Sequence, residues 1–286
     1  MHFNDREEII ALTPHWKGER LPDGRPKVED KYLDALYGMT LEEVWKPIFV
    51  LGYESQFVGG GLAPLHALHD DGRKLVGRAV TCSFCPTRPD LHQLQFARGA
   101  EDGRTGNYNQ WVIDSLQERD VVVCDMYDKI YKGTFLGGNL TTALKAKTNT
   151  GGAVIWGGIR DVEQMRSVPD VQVYYRGIDP TPIREFVMKD FNHIARIGKA
   201  IVLPGDIDGK EIMALETMLQ IGADKPVGYN RICLYIKVDN LLNAGYTYPQ
   251  IKQYMGLKSD KDVEEMQSIF KLMTEYLVAI GKPNHF

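Results

Sequence analysis

The chain has 286 residues, is 43% apolar and 25% charged, and carries a formal net charge of −4. That describes a globular chain of one large domain or two small ones, and without a basic block it excludes nucleic acid and anionic membranes as expected partners. The apolar runs IWGGI and VVVC are far shorter than the roughly 20 residues of a membrane span, and the N-terminus MHFNDREEII is too charged for a signal peptide, so a cytoplasmic location is expected.

In chain order, residues 13–30 (TPHWKGERLPDGRPKVED) are rich in Pro, Gly and charge and read as an irregular arm on the surface. KYLDALYGMTLEEVWKPI places Tyr32, Leu33, Leu36, Leu41, Val44, Trp45 and Ile48 at helical spacing, which predicts one or two short amphipathic helices. RKLVGRAVTCSF alternates and is β-branched, so it predicts a strand. NQWVIDSLQERD predicts a helix, and VVVCDMYD a buried strand. Next come a helix opened by glycines (GGNLTTALKAK), a buried strand (GAVIW), a short helix (VEQMRS) and a strand (VQVYYRG). IARIGKAIVLPGD reads as a strand pair or one long bent strand. EIMALETMLQIG predicts a helix, RICLYIKV a strand, and DKDVEEMQSIFKLMTEYLVAI a long amphipathic helix. Strands alternating with helices between 73 and 203 predict an α/β domain. The expected divisions are an N-terminal arm with helices (1–60), an α/β core (61–238) and a C-terminal helical extension (239–286).

Of the four cysteines, Cys82 and Cys85 form one CxxC without a second pair, and Cys82 and Cys124 lie in apolar runs. All four read as free structural thiols.

Two stretches carry chemistry. In LGGNLTTALKAK, glycines precede a helix N-terminus, whose unpaired N–H groups and positive dipole end suit an anion. In GGAVIWGGIRD, Arg160 and Asp161 stand just past a strand end, where ligand sites of α/β proteins collect. Arg offers a rigid fork for a carboxylate or enolate oxygen, and one Asp with several waters is an ordinary Mg²⁺ site. Adjacent opposite charges point different ways, so these two are expected to reach two parts of one ligand rather than each other. The plainer alternatives are that Asn139 caps the first helix and Asp161 the second, with Arg160 a solvated charge. Lys145 and Lys147 read as a solvated helix face.

The segments Gly137-Gly138-Asn139-Leu140 and Gly152-Ala153-Val154-Ile155-Trp156-Gly157-Gly158-Ile159-Arg160-Asp161, with Arg160 about 21 residues after Asn139, resemble the signature of the RraA family. LVGRAVT, VYYRG and RIGKAIVLPGD extend the likeness, and the arm resembles a longer branch with an N-terminal extension. The family includes class II 4-hydroxy-4-methyl-2-oxoglutarate aldolases and oxaloacetate decarboxylases. The resemblance implies a swivelling β/β/α sandwich or barrel flanked by helices, with helical N- and C-terminal extensions. It implies homotrimers, or dimers of trimers, with sites between subunits. It further implies that Gly138, Asn139, Leu140 and Thr141 cradle a pyruvate-like end, that Arg160 contacts the 2-oxo acid substrate, and that Asp161 holds Mg²⁺ or Mn²⁺ largely through water. Asn139 and Arg160 are the expected catalytic residues. The implied function is a metal-dependent C–C lyase, aldolase or decarboxylase, stabilising a pyruvate-type enolate.

The chain departs from the pattern in two places. Where the family carries a loop acid stands Asn139, by a strict 21-residue spacing from Arg160, or Gly138, by local alignment on Asn-Leu; neither is a carboxylate, and Asp125, Asp128 or Glu54 are the candidate substitutes. After Asp206 the family's next strand is not recognisable. Methyl transfer, another activity attached to the family, lacks its acidic partner after a second strand and is not expected. The alternative from a different class is a non-catalytic RraA-like regulator that binds a protein such as a ribonuclease, which needs neither metal nor base. A third reading is a lyase or hydratase for a larger acid, with Trp16, Tyr53 and Phe57 shaping the pocket.

Overall fold

The computed structural model describes residues 3–53, 55–58, 60–66, 74–206, 231–243, 245–255 and 257–279. The helix expected over EIMALETMLQIG, and Glu54, lie outside the described residues. The chain divides into two compact units, Met1–Gly38 with Ser55–Asp208, and Met39–Glu54 with Gly209–Phe286.

The first unit is built on a six-stranded sheet comprising β1 (Ala63–Pro64), β2 (Arg78–Pro86), β3 (Asp120–Asp125), β4 (Gly152–Ile159), β5 (Gln172–Ile178) and β6 (Phe186–Phe191), in the order β1-β5-β4-β3-β2-β6. β2 to β5 are mutually parallel, and the two edges, β1 and β6, run antiparallel. A parallel strand covered on both faces reads as a continuous apolar run, which is why DVVVCD is almost unbroken. The pleat splits β3 between two cores. Val122 and Cys124 join the larger cluster with Phe84, Trp111, Leu144 and Met165. Val121 and Val123 face Trp156, Ala195 and Ile197. The larger cluster draws on the helices Tyr108–Asp114, Gly138–Thr148 and Val162–Ser167, and the smaller one lies under a two-stranded hairpin, β7 (Ala195–Ile197) and β8 (Ala200–Val202). Hairpin, sheet and helices form the expected β/β/α arrangement, and the IARIGKAIV strand pair turns at Gly198, whose φ is +60°.

The helices of this unit are α1 (Arg6–Leu12), α2 (Asp30–Gly38), α4 (Pro89–Glu101), α5 (Tyr108–Asp114), α6 (Gly138–Thr148) and α7 (Val162–Ser167), where α3 (Leu41–Ile48) belongs to the second unit. The second unit also holds a π-helical turn (Phe49–Tyr53) and the helices α8 (Arg231–Asn243), α9 (Tyr248–Met255) and α10 (Asp260–Ala279). Its core joins Val238, Leu241, Tyr246, Ile251, Met255 and Val263.

Two expectations are overturned. RICLYIKV is not a strand but the start of α8, which buries Val238 and Leu241, three apart, on one side. A short apolar run does not distinguish strand from buried helix by periodicity. The arm is irregular but does not simply lie on the surface, because Leu21, Arg25 and Val28 are buried. Arg25 is 0% exposed and forks onto Asp120 with two 2.9 Å hydrogen bonds, while its Nε donates to Asp23 at 2.7 Å. A charge tolerates burial when it is paired and hydrogen-bonded in this way. Cys82, Cys85 and Cys124 are free thiols, as expected. Among the described residues no helix is long and apolar enough to cross a membrane.

Candidate active site at the end of β4

The second glycine pair of GGAVIWGGIRD builds the site. The loop after β3 crosses over the end of β4, and a Cβ at Gly157 would stand 2.6 Å from Met126 Cβ, one at Gly158 2.5 Å from the Ile130 carbonyl oxygen. With no side chains there, the loop closes onto the strand. Phe135 N–H donates to Gly158 O at 3.1 Å, and Arg160 N–H to Leu136 O at 3.0 Å. The next residues, Gly137 and Gly138, are thereby laid against Arg160 and Asp161.

α6 starts at Gly138 with Gly137 at its N-cap and no capping side chain, so Asn139 is not the cap. Of the N–H groups that a first turn leaves unpaired, that of Gly138 donates to Asp161 Oδ2 at 3.3 Å. That of Thr141 donates to Gly137 O at 3.0 Å. The N–H groups of Asn139 and Leu140 have no hydrogen-bond partner among the described residues. The Thr141 hydroxyl, fully buried, donates to Gly137 O at 2.9 Å. Thr141 thus fixes the turn and presents neither of its donors outward.

Asp161 occupies the N-cap position of α7 but makes no side-chain cap bond. Its backbone is left-handed, φ 55° and ψ 39°, which swings the carboxylate back. Arg160 Nε and Asp161 Oδ2 are 3.3 Å apart, so the two adjacent charges do pair, against expectation. Neighbouring side chains diverge along an extended strand, and the left-handed residue ends that geometry. The pair is open, with side-chain exposures of 21% and 44%, and Arg160 Nη1 also donates to Thr134 Oγ1 at 3.3 Å. The carboxylate thus sits where α6 attracts negative charge, and its Oδ1 faces no described donor.

Gln164, on the first turn of α7, is the residue that sequence reasoning missed. Its Nε2 donates to Asn139 Oδ1 at 3.2 Å, and a Cβ at Gly138 would collide with its carboxamide. Its place three residues past Asp161, on the helix that opens at the site, was the available signal.

The suggested substitutes for a loop acid are engaged elsewhere. Asp128 accepts Trp156 Nε1 at 2.5 Å, Arg176 Nη1 at 2.7 Å and Arg196 Nη2 at 3.0 Å. Burial pushes its carboxyl up, but the hydrogen bonds from Arg196 and Trp156 and the charges of Arg196 and Arg176 outweigh this and hold it below the usual range. Burial raises Asp125, against the Tyr127 N–H and the Arg196 charge. Lys147 Nζ donates to Asp114 O at 2.8 Å, and Lys145 Nζ to Asn149 O, so both tie down the end of α6. Trp16 donates to Glu19 O at 2.8 Å and packs over Gly18 within its own arm.

Among the described residues no cluster of three or more His, Cys, Asp and Glu could hold a metal. A cation here would rest on Asp161 alone. One unengaged oxygen on an exposed carboxylate fits a Mg²⁺ ion that keeps most of its water. A cavity of about 260 Å³ lies at the other end of the strands, lined by Lys74, Arg119, Asn149 and Asp170 among others. It contains none of these site residues, and the chemistry at the end of β4 is the better guide to function.

Among curated protein sequences none matches the chain. A structure described as one of novel cellulases from microbes of the gut ecosystem matches with 21% identity over 70% of this chain and 80% of its own, at a TM-score of 0.51. An uncharacterized protein from Pseudomonas syringae pv. tomato matches with 17% identity over 82% and 99%, at 0.50. These likenesses show the fold alone. A Streptomyces coelicolor protein, described as an unusual member of the RNase ES inhibitor RraA protein family, is 24% identical over 63% and 80%, at 0.49. The family model described as RraA-like, Aldolase/RraA, matches residues 50–207, more than half of the chain and all of the site. The chain therefore belongs to the RraA-like family.

Proposed function

We propose that the chain is a divalent-metal-dependent C–C lyase acting on a 2-oxo acid. One observation carries the reading: the free N–H groups at the start of α6 and the Arg160–Asp161 pair share one open surface, joined by the 3.3 Å contact from Gly138 N–H to Asp161 Oδ2. Asn139 and Leu140 N–H would bind the substrate carboxylate, and the Arg160 guanidinium would face the 2-oxo oxygen. Breaking a C–C bond next to that carbonyl leaves an enolate, and donors already aimed at the developing charge lower the barrier by several kcal/mol. The charges explain the need for a cation. Arg160 and Asp161 cancel, and a helix terminus supplies roughly half a positive charge, too little for a dicarboxylate. Asp161 would hold Mg²⁺ or Mn²⁺ through water, and such an ion supplies positive charge at the enolate oxygen.

The test is pyruvate release from oxaloacetate and 4-hydroxy-4-methyl-2-oxoglutarate with Mg²⁺ or Mn²⁺. Turnover that does not exceed the metal-only background, or that persists unchanged in Asp161→Ala, removes the reading. The openness of Asn139, Asp161 and Gln164 favours a site completed by another copy of the chain. Light scattering is expected to give a trimer or a multiple of it. The second reading, a regulator that binds a protein such as a ribonuclease, is favoured by the carboxamide that fills the space above Gly138. Pull-down of a ribonuclease, together with no lyase activity, would establish it instead.

A further inference from the structure

The cavity at the other end of the parallel strands takes no part in the site at the end of β4, and it lies within the first unit. Its volume of about 260 Å³ falls just below the roughly 300–1,000 Å³ of pockets that hold drug-sized molecules, so it suits a smaller metabolite. Leu75, Val76 and Val171 supply apolar wall, and Lys74, Arg119 and Asp170 bring charges of both signs. Gln172, also in the wall, is held in place: its carboxamide meets both the N–H and the carbonyl of His66 at 3.1 Å.

Three residues of the wall have a positive φ: Arg119 (64°), Asn149 (57°) and Asp170 (53°). They stand just before β3, β4 and β5. Asn and Asp enter this region readily, whereas an arginine there is uncommon, and such strain persists where the surroundings over-determine it. The backbone of Arg119 is pinned on both sides, its N–H donating to Thr148 O at 2.8 Å and its carbonyl accepting from Arg78 N–H at 3.0 Å. A guanidinium has five N–H donors, and the one hydrogen bond that this one makes among the described residues runs from Nη2 to Asp34 at 2.6 Å. Asp170 is exposed. Neighbouring strands run about 4.8 Å apart, so the entries to β3 and β5, with β4 between them, lie roughly 10 Å apart.

We propose that this cavity is a second ligand site, for a free α-amino acid with an apolar side chain. The ligand's carboxylate takes the spare donors of Arg119, and Lys74 adds positive charge. Its ammonium faces Asp170, and its side chain packs on Leu75, Val76 and Val171. A carboxylate and an ammonium on one carbon, each with a charge-assisted hydrogen bond to the protein, span the gap between the two strand entries. This site shares no residue with the one at the end of β4, and it stands whether or not the chain is a lyase.

The experiment is calorimetry on the full chain with L-leucine as the probe. It is set against 4-methylpentanoate, which lacks the ammonium, 3-methylbutylamine, which lacks the carboxylate, and glycine, which lacks the side chain. L-Leucine is expected to bind wild type, and each truncated probe to bind at least about tenfold more weakly, a step of about 1.4 kcal/mol. Asp170→Asn, which keeps a residue type that tolerates the positive φ, and Arg119→Gln are each expected to weaken L-leucine binding by about tenfold or more. Asp161→Ala, at the other end of the strands, is expected to bind L-leucine as wild type does. Absence of L-leucine binding, 4-methylpentanoate binding as tightly as L-leucine, or unchanged affinity in either cavity variant overturns the proposal. Loss of binding in Asp161→Ala also overturns it, by moving the ligand to the end of β4, and leaves the lyase reading standing.

Discussion

Two Arg–Asp pairs in the first unit invite comparison. Arg25 and Asp120 are both fully buried and meet fork to fork at 2.9 Å, and every side of Asp120 is engaged, including a 2.8 Å bond from the Gln117 N–H. Burial alone would lower Arg25, but the hydrogen bonds and charges of Asp120 and Asp23 more than offset it, so the guanidinium is held firmly charged. Arg160 and Asp161 meet through one oxygen at 3.3 Å, partly open to solvent, with Asp161 Oδ1 and two helix N–H groups left over. The same two residue types therefore make a staple in one place and a site in the other. What separates them is spare hydrogen-bonding capacity facing water.

The largest effect is expected at the staple. Asp120→Ala leaves a buried guanidinium without its main partner, which costs about 3–5 kcal/mol. Urea denaturation followed by circular dichroism checks this, and a loss under about 1 kcal/mol would mean that Arg25 finds water or another partner. The open pair is expected to behave in the opposite way. Arg160→Ala and Asp161→Ala should cost less than about 1 kcal/mol of stability yet lower pyruvate release by about a hundredfold or more. If both stability and turnover fell together, the pair would be a second staple.

Gly158→Ala tests the link between fold and site. Its Cβ would press on the Ile130 carbonyl, a backbone atom with little room to yield. A cost of about 1–3 kcal/mol and reduced oxalate binding are expected, because the loop that carries Gly137 and Gly138 is displaced. At Gly138→Ala the obstacle is instead the end of an exposed glutamine, which can swing away, so the stability change should stay within about 0.5 kcal/mol.

The smallest effect concerns pH. The folded protein holds Asp128 below the usual carboxylate range, through Arg196, Trp156 and Arg176 acting against its partial burial. A depressed acid contributes stability that is fully present above its unfolded value of about 4 and is lost as pH falls through the folded value. Asp128→Asn should therefore narrow the difference between urea midpoints at pH 3 and pH 6. An unchanged difference would show that the cluster is indifferent to the charge of Asp128.

Local patterns were legible where neighbours in sequence decide the outcome. The unbroken DVVVCD announced a doubly covered parallel strand, and the Gly137–Gly138 pair announced the start of a helix, whereas Gly157–Gly158, which read as a turn after Trp156, lie inside β4, which runs on to Ile159. Arg25 was not legible, since its partner Asp120 lies 95 residues away, and an arm rich in Pro, Gly and charge reads the same whether solvated or docked. RICLYIKV failed for a different reason: eight apolar-rich residues satisfy both a strand and a helix until packing chooses.

By itself the sequence determined the alternation of elements, the glycines that open α6, and the presence of a guanidinium and a carboxylate just past a strand end. These follow from backbone geometry and side-chain chemistry within a few residues. Only the tertiary structure decided that the left-handed Asp161 turns its carboxylate onto the start of α6 and pairs with Arg160. It also decided that Gln164 lies over Gly138. Both depend on where one helix start lies against the end of another strand, a relation set by how the loop after β3 packs across β4 rather than by any local preference.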